Sequence, residues 1–218
     1  MSKYLTVTPE MLELAANYPC PKWLPEKLVP AFEFAREAHK NQFRKYTGDP
    51  YIVHPLDVLS RFLGAISECS ANIITKAIVE AELFPVLQAC LLHDTVEDCG
   101  VSLTTIEKEF GQATAEAVFW VTDTLTSAQG NRQTRKRLES LRLAAAPVRV
   151  RCLKLCDIIS NTTSIVENDP DFAVVYIREK AHLLSLLSQN LLNPSEIPGM
   201  TSLFYNLLSK ATANTSVI

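Results

Sequence analysis

An all-α fold is what this sequence predicts, on three observations. Apolar residues recur at three- and four-residue spacing along the whole chain. No segment sustains the alternation of a half-buried strand. The six glycines and twelve prolines fall mostly between the apolar runs rather than inside them. The 218 residues suit one compact domain over 1–218, a bundle of roughly ten helices. A chain of this length buries roughly 70% of its unfolded surface and needs no disulfide or structural metal to stay folded. No internal repeat is present.

The elements follow in order. Thr8 followed by Pro9 supplies an N-cap and a first-turn proline for a short helix through EMLELAANY. From about Pro30 to His39, Phe32, Ala35 and Ala38 share one stripe with charges opposite. Residues 56–67 and 72–82 read as two more helices. Pro85 opens a helix expected to run through VLQACLLHDTVED and stop near Gly100. Thr104 is expected to begin a short helix with acidic first-turn residues, and Gly111 separates it from ATAEAVFWVTDTL. A charged helix is expected over 131–145, an apolar one over 148–163, and long ones over 171–191 and 200–212. The segment NPSEIPG at 193–199 is the nearest thing to a linker and is too short to separate domains.

Lys and Arg number 21 against 24 Asp and Glu, a net charge of -3. That balance excludes a general nucleic-acid coat, which needs a strong basic excess. Any anionic ligand must be met by a local cluster of cations. The apolar run LFPVLQACLL falls short of the about 20 residues that span a bilayer. MSKYLTVTPE lacks the basic and apolar regions of a secretory signal. A reducing cytoplasm is therefore expected, with no membrane partner. The six cysteines (20, 69, 90, 99, 152 and 156) lack the dense spacing of a disulfide framework. Cys152 and Cys156 sit four apart, but no second Cys or His pair follows at a zinc-finger distance. All six are expected as buried free thiols.

The most informative segment is ACLLHDTVEDC. On a helix His93 lies above Glu97 and Asp94 above Asp98, because residues four apart share a face. Four ionisable groups ending a strongly apolar helix are costly near a core unless something compensates. A divalent cation compensates well, since imidazole and carboxylate suit Mn, Fe, Co or Zn. An HD dipeptide alone fits a core histidine and a solvated acidic end better than a metal site.

The dipeptide has company. AHKNQFRKYTGDPYIVHP stands upstream and RVRCLKLCDIISNTTSI downstream. Together these blocks resemble the HD-domain metal-dependent phosphohydrolases. Within them the match is to the hydrolase half of the RelA/SpoT-type alarmone enzymes and to the small stand-alone alarmone hydrolases. The elements that carry the resemblance are RK…GDPYIVHP, LLHDTVED and KLCDIISN, in order across about 28–165. The helices expected over 171–212 carry no readable motif.

The resemblance implies one Mn²⁺ held by His54, His93, Asp94 and Asp157, with other transition metals chemically suitable. Glu97 and Asp98 match the pair the family uses to orient the attacking water and handle its proton. Arg44 and Lys45 match a basic pair set against the nucleotide. Thr47 matches a small hydroxyl position before the glycine, although Tyr46–Thr47 departs from the common pattern there. Asn161 and Ser164 match contacts to the nucleoside and its 5′ phosphates. Ile158 replaces the basic residue commonly found after the metal aspartate, which opens the choice of base. The run NRQTRKR reads either as a solvated face or as charge for a pyrophosphate, through Arg132 or Arg135. His39 and His182 read as structural.

The expected activity is hydrolysis of the 3′-pyrophosphate of guanosine tetra- and pentaphosphate to GDP or GTP and pyrophosphate, without synthesis. The rival readings are adenosine alarmones or another phosphorylated nucleotide such as NADPH, and a catalytically inactive nucleotide-binding module. Oligomeric state is left open.

Overall fold

The computed structural model describes residues 7–68, 78–189 and 199–215. Among these the chain forms eleven α-helices, and the single β-type pairing is an isolated bridge between Phe43 and Pro50. The helices are α1 (Pro9–Ala16), α2 (Val29–Ala38), α3 (Val53–Glu68), α4 (Phe84–Leu92), α5 (Thr95–Cys99) and α6 (Leu103–Phe110). They continue with α7 (Gln112–Val121), α8 (Arg132–Ala144), α9 (Val148–Asn168), α10 (Pro170–Gln189) and α11 (Met200–Thr215). Residues 72–77 of the helix expected over 72–82, most of the 193–199 linker and Cys69 lie outside the described residues. Val79–Leu83 forms a π-helical turn that leads into α4.

Local chemistry explains most of the boundaries. The Thr8 hydroxyl accepts from the Met11 amide at 3.4 Å and starts α1 as expected. Ser102, in extended conformation, accepts from the Thr105 amide at 3.0 Å. That cap starts α6 at Leu103 rather than at Thr104, and its first turn holds no acidic residue. Gly100, at φ 69°, closes α5 in the left-handed region that favours glycine. α9 outlasts its expected end at 163. The Thr162 and Thr163 hydroxyls bond back to the Ile158 and Ile159 carbonyls, and Ile165 packs with Ala173 and Tyr176 at the turn into α10.

Burial sets the architecture. Every residue of α4 from Val86 to Leu92 is buried, so this helix is the inner rod of the bundle. α2, α3, α7 and α9 pack around it. The 21-residue α9 also carries α10 and α11 on its other faces, and α8 packs along α10. Phe32, Phe62, Leu91, Leu155 and Phe204 are fully buried in one core that unites these helices. Cys90, Cys152 and Cys156 are buried free thiols within it. Cys20 and Cys99 correct the expectation for cysteine: the first is exposed on the loop after α1, the second half-buried at the end of α5. No described helix is long and apolar enough to cross a membrane.

Leu155 on α9 tests the core directly. Leu155→Ala is expected to lower unfolding free energy by about 2–5 kcal/mol in urea titrations. Leu155→Met should cost less than about 1.5 kcal/mol, since it conserves volume. Equal effects from the two would show that packing at this position is loose.

Candidate active site

Three segments meet at one buried point. His54 sits in the first turn of α3, His93 and Asp94 form the junction between α4 and α5, and Asp157 lies midway along α9. The expected continuous helix through HDTVED is broken here: α4 ends at Leu92, and Asp94 takes the N-cap position of α5. The Asp98 amide still bonds the Asp94 carbonyl at 2.8 Å, so the four-residue stacking of the acids survives the break. His93 Nε2 lies 3.1 Å from Asp94 Oδ2 and 3.9 Å from Asp157 Oδ1. His54 Nε2 lies 3.5 Å from Asp94 Oδ2 and 3.3 Å from Asp157 Oδ1. One ligand atom each from His54, His93 and Asp94 falls within 4.8 Å of the others, a grouping able to hold a metal ion.

Outer contacts fix how these groups point. His93 Nδ1 donates to the Cys90 carbonyl at 2.9 Å, which leaves the Nε2 lone pair facing the cluster. His54 Nδ1 is 3.0 Å from the Ser160 hydroxyl, and the two Nε2 atoms approach to 3.3 Å. The Tyr51 hydroxyl donates to Asp94 Oδ2 at 2.7 Å and lies 3.4 Å from Asp98 Oδ2. Asp157 is held by Lys154 at 2.8 Å and by the Asn161 side-chain amide at 2.6 Å. Burial penalises charge on His93, yet Asp94 and Asp157 outweigh it and raise its pKa to about 9. Burial opposes ionisation of Asp94 and Asp157 too, but the histidines, and Lys154 for Asp157, hold both well below the usual carboxylate range. A set of acceptors converging this way demands a positive charge at its centre, a proton on His93 or a bound cation. Two imidazoles and two carboxylates fit a divalent transition metal.

Glu97 and Asp98 are exposed on the rim of the cluster. Removal of water by the surrounding protein raises both carboxyls, with neighbouring acids adding to it. Glu97 accepts from the Asp123 amide at 3.1 Å. Asp123 in turn forms an ion pair with Lys136 of α8. The loop between them is tied down by the buried Glu139 carboxylate, which accepts from the Thr124 amide at 2.6 Å, the Leu125 amide at 2.9 Å and Arg142 at 2.7 Å.

On one side of the cluster is a cavity of about 230 Å³ lined by Arg44, Thr47, His54, Ser160 and Ser164, among others. Gly48, at φ 76°, closes the turn that presents Arg44. The Arg44 guanidinium donates to Asn161 Oδ1 at 3.1 Å and lies over the Tyr51 ring. Arg44, Thr47, Asn161 and Ser164 are thus brought together. Lys45 is not: it turns away to Asp169 at 3.1 Å and stacks on Tyr46. Ile158 is fully buried in the core, about 100° around the helix from Asp157, so its own side chain meets packing partners and not the cavity.

On another side, α8 and α10 enclose a cavity of about 600 Å³ lined by Arg132, Lys136, Arg137, Arg178 and His182, with Glu179. Arg132 is engaged by Glu179 through bonds of 2.8 and 2.9 Å. Arg135 is absent from this lining; its guanidinium donates to the Gly130 carbonyl at 2.7 Å. Between this cavity and the cluster lies Lys180, over the Tyr176 ring. Burial, with repulsion from Lys154 and Lys136, lowers its pKa to about 8.

Residues 31–189 match the HD domain family. The chain belongs to the HD-domain family. HD domains are metal-dependent hydrolases, and the His54–His93–Asp94 grouping offers a place for the ion. The chain is 34% identical over 148 residues to a guanosine-3′,5′-bis(diphosphate) 3′-pyrophosphohydrolase MESH1 of Xenopus tropicalis, covering 66% of this chain and 72% of the relative. It is 32% identical over 165 residues to a probable GTP pyrophosphokinase of Mycobacterium leprae, covering 74% of this chain. The chain spans about a fifth of the length of that protein and of its Aquifex aeolicus and Vibrio cholerae relatives (19%, 18% and 22%). A solved structure described as a metazoan ortholog of SpoT superposes with a TM-score of 0.62 at 23% identity, over 87% of this chain and 98% of its own. That likeness confirms the helical HD fold.

Sequence reasoning passed over several residues of this HD domain. Lys154 and Ser160 lie three before and three after Asp157 on α9, a polar row in an apolar helix that its period makes readable. Tyr51 precedes His54 by one turn, within a block already singled out. Lys136, Asp123 and Lys180 meet through tertiary packing, and no spacing announces them.

Lys180 has a pH signature. Its folded pKa near 8 lies below the unfolded 10.5, so between these values the unfolded chain binds the extra proton. Stability should therefore rise with pH across that window. Urea midpoints from pH 7.5 to 10 are expected to climb in wild type relative to Lys180→Met. Parallel curves would show that Lys180 is not buried near its cationic neighbours.

Proposed function

We propose that this HD domain hydrolyses the 3′-pyrophosphate of guanosine alarmones, using one Mn²⁺ held by His54, His93, Asp94 and Asp157. The observation that carries the reading is the convergence of two imidazoles and two carboxylates beside Glu97 and Asp98, with Arg44 and Asn161 on one side. The printed activities of the MESH1, Aquifex aeolicus and Vibrio cholerae relatives support the choice of substrate.

When bound, the cation would polarise a phosphate oxygen and lower the pKa of water at neutral pH. The chain's own residues do the rest. Cys90 and Ser160 hold the two imidazoles with Nε2 inward. Tyr51 spans Asp94 and Asp98, which fixes one acid relative to the other. Glu97 and Asp98, raised toward neutrality, are suited to take a proton from the attacking water. The water oxygen bonds to the phosphorus next to the 3′ oxygen, and the phosphorus–O3′ bond breaks. The 3′ oxygen takes up the proton, and GDP or GTP leaves with pyrophosphate. Arg44 offers a planar guanidinium for a base or a phosphate, and Thr47 and Ser164 offer hydroxyls in the same cavity. With Ile158 in the core, the base preference rests on Arg44 and its cavity. Activity on matched guanosine and adenosine alarmones and NADPH reads that preference.

His93→Ala and Asp94→Ala are expected to lose retained Mn²⁺, and chelation to abolish turnover. Glu97→Gln and Asp98→Asn should keep wild-type metal content while turnover falls about 10²–10⁴-fold. Full activity in excess EDTA, or metal lost in step with activity in the acid variants, would overturn these roles.

Arg44→Ala should raise KM more than it lowers kcat, the pattern of uniform binding lost. Arg44→Lys should restore only part, because a point charge keeps attraction without the planar contact. Unchanged KM in Arg44→Ala would remove Arg44 from the substrate site.

A further inference from the structure

The cavity between α8 and α10 holds charge that the metal cluster does not use. Gln133, Lys136, Arg137 and Ser140 line it from α8, and Val175, Arg178 and His182 from α10. Each set repeats at three and four residues, so two packed helices turn one cationic face toward the other. Four cations meet a single carboxylate, Glu179, in a chain whose net charge is -3. An anion placed between the two faces is attracted by both. Arg132 is matched by Glu179 and Lys136 by Asp123. Arg137 and Arg178 have no hydrogen-bond or ion-pair partner among the described residues. The space, about 600 Å³, is ample for a small polyanion.

We propose that this cavity is a diphosphate site, with Arg137 and Arg178 as forked donors and Lys136 as a movable point charge. Guanidinium groups match phosphate oxygens two at a time, and an ammonium adds charge without fixing direction. Its use as the receiving site for the pyrophosphate released at the metal cluster rests on the hydrolase reading; the binding of diphosphate does not. Two lysines stand within electrostatic reach of both places. Lys154 touches Asp157, and Lys180 lies close enough to Lys154, Asp157, Lys136 and Asp123 to feel all four charges. Lys136 also links the two places mechanically. It is the partner of Asp123, whose backbone amide holds Glu97. A diphosphate that draws Lys136 away from Asp123 loosens the support of Glu97 until the anion departs.

The test is calorimetric titration of inorganic pyrophosphate into the full chain, freed of metal and kept in chelator. Saturable binding at one site is expected, weakened at least about tenfold, or about 1.4 kcal/mol, in the Arg137→Ala/Arg178→Ala double variant. Asp94→Asn should bind as wild type does, and orthophosphate should bind more weakly than pyrophosphate. Both arginines are exposed, so the double variant should melt like wild type, and Arg137→Lys/Arg178→Lys should recover part of the affinity. No binding to the metal-free wild type, equal binding by the double alanine variant, or equal affinity for orthophosphate would each overturn the proposal. Absence of alarmone turnover by the metal-loaded wild type strikes the hydrolase reading instead and leaves the binding result intact.

Discussion

Everything in this HD domain is arranged around one electrostatic problem: two imidazole nitrogens and two carboxylates share a pocket in the middle of an apolar bundle. Groups of that kind repel or sit unsatisfied in a low dielectric unless a positive charge joins them. The solution spreads over three segments that are far apart in the chain and buried together. Each of these groups is aimed by a neighbour: His93 by the Cys90 carbonyl, His54 by Ser160, Asp94 by Tyr51, and Asp157 by Lys154 with Asn161. Removing an aiming contact leaves a ligand present but misdirected, which is why the packing of α3, α4 and α9 matters to chemistry as much as to stability.

Much of this was legible in the sequence, for reasons that differ by residue. The helices were readable because each buries one face at a regular period, and α4 because it buries every face. His54, His93, Asp94 and Asp157 were legible as polar interruptions of apolar runs within blocks of recognised order. The kink at His93–Asp94 was not, since nothing local forbids a helix there; Thr95, bonding back to the Leu92 carbonyl, and the needs of the cluster decide it. Lys45 and Arg135 stand apart from the cluster because their neighbours on the surface, Asp169 and the Gly130 carbonyl, engage them. Ile158 faces the core because adjacent helical residues point about 100° apart, so the side chain after Asp157 faces elsewhere.

The two sides of the cluster have different characters. The Arg44 side is small, with hydroxyls and one planar cation over an aromatic ring, a surface suited to a particular shape. The α8–α10 side is larger and dominated by charge. Between them the loop from Thr122 to Gly130 is pinned by Glu139, a buried carboxylate that collects backbone amides the loop cannot satisfy for itself. Through Asp123 this loop reaches Glu97, so an acid at the rim of the cluster is tied to a helix that adds no residue to it.

The break between α4 and α5 makes chain length, more than composition, the constrained quantity of this stretch. His93 closes one helix and Asp94 opens the next, and Gly100 ends α5 in a conformation few other residues adopt. Within that span a change of side chain alters one contact, whereas a change of register rotates His93, Asp94, Glu97 and Asp98 together out of alignment with α3 and α9. The inner rod tolerates exchange of one apolar residue for another of similar size; its last turn tolerates no insertion or deletion. Changes of length are therefore best absorbed in the loops and outer helices, and worst in the seven residues from Asp94 to Gly100.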